Sequence, residues 1–217
     1  ERMRPRTSGM EFATEMIANA AYQRLKVCEI PTTLSPDKRG RPPHLRSFRD
    51  GWRHLRFIMT YAPDYLYFAP GLAMFLVGVG LLGLLAWGPA SIGGVSLGIH
   101  FVALGAMLSL IGFNVLNLGV MAKNMLARRY AGMHSRTVAW VSKRFSLELG
   151  LCIGVALFLA GLGVDAWILA KWWAANQGPM EETVHLAFVA STAAVIGLNT
   201  VFNSFLLAMI KVPEDRG

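Results

Sequence analysis

Four apolar runs, at about 66–87, 97–122, 147–169 and 184–210, dominate the pattern of this chain. Each reaches the ~20 residues that an α-helix needs to cross the hydrocarbon core of a bilayer. Ahead of the first run the pattern is periodic instead of continuous. Leu45, Phe48, Trp52, Leu55 and Met59 recur at steps of three and four, which is one face of a helix. Arg46, Arg49, Arg53 and Arg56 project from the opposite and flanking faces. Such a helix lies along a membrane surface, apolar side down, with its cations at headgroup depth. The pattern predicts an α-helical membrane protein: an amphipathic interfacial helix over 44–65, then a four-helix transmembrane domain over 66–217.

Residues 1–43 read differently. Ser8-Gly9-Met10-Glu11 fits a capping box, in which hydroxyl and carboxylate satisfy opposing backbone donors. A helix over about 9–24 is expected to follow, with Phe12, Met16, Ile17 and Ala20 as its apolar face. Val27-Cys28-Glu29-Ile30 reads as a short strand stopped by Pro31, and 32–43 as a loop rich in Pro and Arg. One helix and one strand bury too little surface to offset chain entropy. The segment is therefore expected to be the C-terminal end of an α/β domain whose main body lies outside this chain, within a longer protein. No internal repeat stands out along the 217 residues.

Composition supports a membrane protein: 54% of the residues are hydrophobic and only 16% charged, against about 25% charged in soluble domains. More than half of the 21 Lys and Arg lie in residues 1–65, beside apolar spans, so the net charge of +8 points to anionic lipid and not to nucleic acid. The connection between the second and third runs is basic, with Lys123, Arg128, Arg129, Arg136, Lys143 and Arg144. The short loop 88–96 carries no charge, and 177–183 carries only Glu181 and Glu182. By the positive-inside rule both termini and the middle connection are cytoplasmic, in an inner-membrane multi-pass protein. Trp87, Trp172 and Trp173 then mark the outer interface. Cys28 and Cys152 have no metal-binding neighbourhood, are not expected to form a disulfide, and are expected to be small buried residues.

Several of these motifs together resemble a known family. Gly9-Met10-Glu11-Phe12-Ala13-Thr14-Glu15-Met16, then Glu29-Ile30-Pro31, a loop and the basic helix resemble the C-terminal end of family 2 glycosyltransferases of the polyprenyl-phosphate type, such as dolichyl-phosphate mannose synthase. Pro42-Pro43-His44-Leu45-Arg46 and Asp50-Gly51-Trp52-Arg53-His54-Leu55 resemble bacterial members with four C-terminal spans. The resemblance implies that residues 1–43 end a GT-A catalytic domain and carry its acceptor loop. It implies an inverting transfer of sugar from a nucleotide-sugar to a polyprenyl phosphate at the cytoplasmic leaflet. It also implies a divalent metal, Mg or Mn, held by an Asp-x-Asp motif. No Asp-x-Asp occurs here, so the nucleotide-sugar and metal site is expected upstream of Glu1, and this fragment alone is expected to bind neither and to catalyse nothing.

The acceptor half departs from the pattern at one place. Dolichyl-type members follow the Glu-Val-Pro strand with Arg-x-x-Gly-x-Ser-Lys. Aligned on Glu29-Ile30-Pro31 and Gly40, that pattern puts Asp37 at its Arg and Pro42-Pro43 at its Ser-Lys. Arg39 and Arg41, flanking Gly40, are the candidates to hold the lipid phosphate instead, with Arg46, Arg49 and Arg53 in support. Guanidinium offers phosphate a planar fork of paired donors. The competing reading is a set of solvated cations that only attract anionic lipid. His44 and His54 are further donor candidates, against a plain surface role. Asn114 with Asn117, and Asn199 with Asn203, place polar groups inside spans, either for function or for interhelical hydrogen bonds. Asp165 stands near enough to Lys171 along its helix to pair locally. Homo-oligomerisation through the spans stays open, as do two other functions: a non-catalytic four-span protein assisting translocation of lipid-linked sugar, and a subunit scaffold. The DNA preceding Glu1 would separate the three.

Overall fold

The structure, a computed structural model, describes residues 11–23, 25–33, 47–129, 146–176 and 183–211. Its elements in order are α1 (Glu11–Tyr22), α2 (Ser47–Tyr61), a π-helical turn (Asp64–Phe68), α3 (Ala69–Leu85), β1 (Ala90–Ile92), β2 (Val95–Leu97), α4 (Ile99–Arg129), α5 (Leu147–Ala174) and α6 (Val184–Lys211). Four helical segments are long and apolar enough to cross a membrane: Asp64–Leu85, Ile99–Ala127, Leu147–Ala174 and Val184–Ile210. This is a helical, multi-pass membrane protein. Pro70 sits in the first turn of α3, where a missing N–H costs nothing. Ser146 caps α5 by accepting from the Leu149 N–H at 3.2 Å.

α3 packs on α4 and α5 on α6, giving two helical hairpins that meet along α4 and α6. Between helices in lipid there is no hydrophobic drive, so close backbone approach at small residues supplies the contact. A Cβ on Gly112 would fall 2.8 Å from the carbonyl oxygen of Gly71, and one on Gly78 would fall 2.7 Å from that of Gly105. In the second hairpin a Cβ on Gly197 would fall 2.7 Å from the Gly154 carbonyl, and one on Gly161 would fall 2.5 Å from the Ala190 carbonyl.

These contacts correspond one to one, and they expose an internal repeat that the sequence reading missed. Gly71, Ala73, Phe75, Leu76, Gly78 and Gly80 of α3 recur in the same spacing as Gly154, Ala156, Phe158, Leu159, Gly161 and Gly163 of α5. His100, Ile111, Gly112 and Asn114 of α4 recur as His185, Ile196, Gly197 and Asn199 of α6. Gly112 meets Phe75 as Gly197 meets Phe158. Both hairpins run in the same sense, as in parallel repeats related by an axis along the membrane normal. The Asn199 amide donates to the Asn114 side-chain oxygen at 3.5 Å, a long bond between equivalent residues of the two halves. Asn117 bonds instead to its own helix, at the Phe113 carbonyl. Apolar substitutions such as Met/Leu and Val/Ala between the glycines hide the repeat from a reading based on composition.

At the end remote from α2, Leu82, Leu85, Val102 and Ala106 form a buried cluster packed by Ala90, Leu97, Phe188 and Val189. His185 joins the hairpins there, its Nδ1 donating to the Leu85 carbonyl at 2.9 Å. The uncharged connection expected as a loop is a two-stranded antiparallel hairpin, Ala90 opposite Leu97. Gly93 and Gly94 have φ of 57° and 83°, the left-handed pair that a tight hairpin turn requires.

Other expectations are corrected. The buried residues of α1 are Glu15, Asn19 and Ala20, whereas Phe12, Met16 and Ile17 are exposed. Residues 27–30 are not assigned as a strand, and no neighbouring strand among the described residues pairs with them. Cys28 and Cys152 are both free and both exposed. Asp165 accepts from the Ser191 hydroxyl at 3.0 Å, and Lys171 lies 5.6 Å over the Trp167 ring. The capping box and the loop 34–43 lie outside the described residues.

The repeat makes a paired prediction. Gly112→Ala and Gly197→Ala should each overpack their hairpin and cost about 1–3 kcal/mol. Gly80→Ala and Gly163→Ala meet open space and should leave thermal unfolding in detergent unchanged.

Candidate functional site

α2 is a three-sided helix. Phe48, Trp52, Leu55 and Met59 form an exposed apolar side. Asp50, His54 and Phe57 form a second, half-buried side turned towards α1, where the Thr14 hydroxyl and His54 Nδ1 lie 3.0 Å apart. Arg49, Arg53 and Arg56, at steps of four and three, fall between these two on a third side. The sequence reading spread the arginines over opposite and flanking faces, whereas the described ones share a single flank. Amphipathic helices of this kind settle with the apolar side in the acyl boundary, and in α2 the arginine row flanks that side. Arg53 reaches Asp50 at 4.0 Å, at the limit of an ion pair. At half exposure such a contact is worth little, and its guanidinium keeps donors to offer.

The helix is tied to the spans by an elbow. Pro63 is buried and follows the end of α2, and the N–H groups of Tyr65 and Leu66 both turn back to the Ala62 carbonyl. The π-helical turn then runs directly into α3, with the Ala69 N–H bonded to the Asp64 carbonyl. Lys123, near the end of α4, closes this elbow. Its ammonium pairs with the Asp64 carboxylate and stands 4.9 Å over the Phe68 ring. The Lys123 side chain is 5% exposed and that of Asp64 58%. One turn earlier, Gly119 admits Tyr67 and Phe68: a Cβ there would lie 2.9 Å from the Tyr67 Cβ.

Of the five arginines predicted to face the acceptor, Arg49 and Arg53 stand on the described arginine flank, and Arg39, Arg41 and Arg46 lie outside the described residues, as does His44. His54 is turned to Thr14, away from that flank. Two residues outside that set join the geometry. Arg56 completes the row, a position legible from its three-residue step after Arg53. Lys123 reaches Asp64, a partner distant in the chain that leaves no mark on local pattern. Among the described residues no group of three His, Cys, Asp or Glu stands together as a metal site would require.

Residues 120–211 match the family described as "Glycosyltransferase family 2 C-terminal transmembrane region". Over 204 residues, 94% of the chain, it is 37% identical to the low-salt glycan biosynthesis hexosyltransferase Agl6 of Haloferax volcanii, of which it covers 48%. The chain thus spans about half the length of the curated relative it matches. No solved structure matches it.

Nitroxides scanned along α2 in lipid vesicles test the three-sided arrangement. Oxygen accessibility should peak at positions 48, 52, 55 and 59, and accessibility to a water-soluble nickel chelate at 49, 53 and 56. Positions 50, 54 and 57 should be shielded from both.

Proposed function

We propose that this chain, whose matches support membership of glycosyltransferase family 2, is the acceptor-capturing and membrane-anchoring half of an enzyme that transfers a hexose from a nucleotide-sugar to a polyprenyl phosphate. The observation that carries the reading is the arginine row Arg49–Arg53–Arg56, set beside an exposed apolar side on a helix joined to the first span through the elbow at Pro63. A polyprenyl phosphate has the matching chemistry, an apolar tail that stays in the hydrocarbon and an anionic head at the waterline. Guanidinium donors there bind the phosphate with charge-assisted hydrogen bonds. Arg39, Arg41 and Arg46, which precede α2 in the sequence, are proposed as further donors to the phosphate.

The mechanism assigned to this half is proximity. A lipid held at fixed height presents its phosphate oxygen to a soluble donor, which replaces a search in three dimensions by one encounter at a set depth. Residues 11–33 would be the end of the nucleotide-sugar domain, joined to the interfacial helix through Thr14 and His54. The full-length enzyme would take its divalent metal, Mg or Mn, with the nucleotide-sugar in that domain. The positive-inside rule puts α2 and the basic connection after α4 on the cytoplasmic side. The name of the Haloferax protein, a hexosyltransferase, is the ground for a hexose as the transferred sugar.

In the full-length enzyme, Arg39→Ala with Arg41→Ala should lower kcat/KM for polyprenyl phosphate by roughly thirtyfold, the equivalent of about 2 kcal/mol of charged hydrogen bonding. Nucleotide-sugar binding, measured by calorimetry, should stay intact. Unchanged turnover of the lipid would remove these residues from the site.

A further inference from the structure

The internal repeat allows each hairpin to serve as a control for the other, and the largest departure from it lies at the elbow. Asp64 corresponds to Leu147, Phe68 to Leu151, Gly119 to Ser204 and Lys123 to Ala208. The second hairpin therefore closes this end with apolar and small side chains: Gly150 receives Ser204, whose hydroxyl bonds within its own helix to the Thr200 carbonyl. The first hairpin closes the same end with an ion pair whose lysine is almost wholly buried. The packing of the hairpin does not require it, since its counterpart packs without one. Among the described residues, the N-terminal end of the first hairpin carries α2.

Taking the proposed function as its basis, we infer that the Asp64–Lys123 pair is a positioning device that sets the angle at which α2 leaves the first span, and so where the arginine row meets the acceptor phosphate. The geometry suits this role. The ammonium is gripped at both ends of the π-helical turn, by the carboxylate of its first residue and the ring of its last. A π-turn on its own is a wide, poorly bonded stretch of helix, and Pro63 breaks the ladder just before it. Apolar contacts resist sliding only weakly, whereas an ion pair with a cation–π contact fixes one atom in direction as well as distance. An ammonium near the end of a span ordinarily extends towards water. Here Lys123 is turned inward onto the elbow.

The test borrows the solution of the second hairpin. Asp64→Leu with Lys123→Ala reproduces the residues at positions 147 and 208, with which the second hairpin packs, so the spans should still assemble. Nitroxides at Thr60→Cys on α2 and Met107→Cys on α4, in an otherwise cysteine-free full-length protein in vesicles, report the angle by pulsed dipolar spectroscopy. The double variant should broaden or shift the distance distribution. It should raise KM for polyprenyl phosphate roughly tenfold with KM for the nucleotide-sugar unmoved. Lys123→Arg and Asp64→Glu, which keep both charges, should preserve the native distribution and KM. An unaltered distribution in the double variant would overturn the inference, as would an altered one with unaltered lipid KM in an enzyme that uses the lipid. Absence of lipid turnover in the unmutated enzyme would instead count against the polyprenyl-phosphate reading, and the distance measurement alone would then decide.

Discussion

Backbone-to-backbone contact at glycine is the constraint on which the rest of this molecule depends. Lipid gives helices no hydrophobic reason to associate, so α3 and α4 hold together where Gly71, Gly78, Gly105 and Gly112 let their main chains meet. That contact fixes the register of the two helices. The register in turn carries Gly119 and Lys123 to the first turn of the span, where they receive Tyr67, Phe68 and Asp64. Shifted by one residue, the lysine would point elsewhere and the elbow would lose its clasp. The packing of the elbow that joins α2 to the first span thus follows from helix contacts some distance away.

The two hairpins solve the same packing problem with nearly the same residues, and their differences are informative. At the remote end, Leu82 and Ala106 lie in the apolar cluster, while their counterparts Asp165 and Ser191 share a hydrogen bond. His185 staples α6 to the end of α3, while its counterpart His100 is exposed. At the α2 end the difference is the ion pair. Between these ends, in the glycine-lined middle, the halves agree, and there Asn114 and Asn199 face each other across the contact of α4 and α6. A hydrogen bond of this kind is worth about 0.6–2 kcal/mol in lipid, which is consistent with a packing role.

The four spans and the amphipathic helix were legible because the bilayer imposes a length and a surface imposes a period, and both are local properties. Span limits moved by a few residues at most positions, though α4 runs on to Arg129 and the first span opens in a π-helical turn. The paired Gly93-Gly94 held a hairpin signal that the surrounding apolar runs obscured. On α1 the helical period was legible, whereas the burial of Glu15 and Asn19 and the exposure of Phe12, Met16 and Ile17 depend on neighbours that local pattern does not name. At the candidate site, the spacing of Arg49 and Arg53 was readable while the partner of Lys123 was not, since a contact between distant residues follows only from the register of the packed helices.

The account stands most directly on one measurement: the full-length protein in vesicles, given radiolabelled nucleotide-sugar, assayed for label in the organic phase with polyprenyl phosphate or with the matching polyprenol. The account predicts label in lipid with the phosphate and none with the alcohol, because the arginines recognise the anionic head. Equal labelling of both, or label passing only to a water-soluble acceptor, would contradict it.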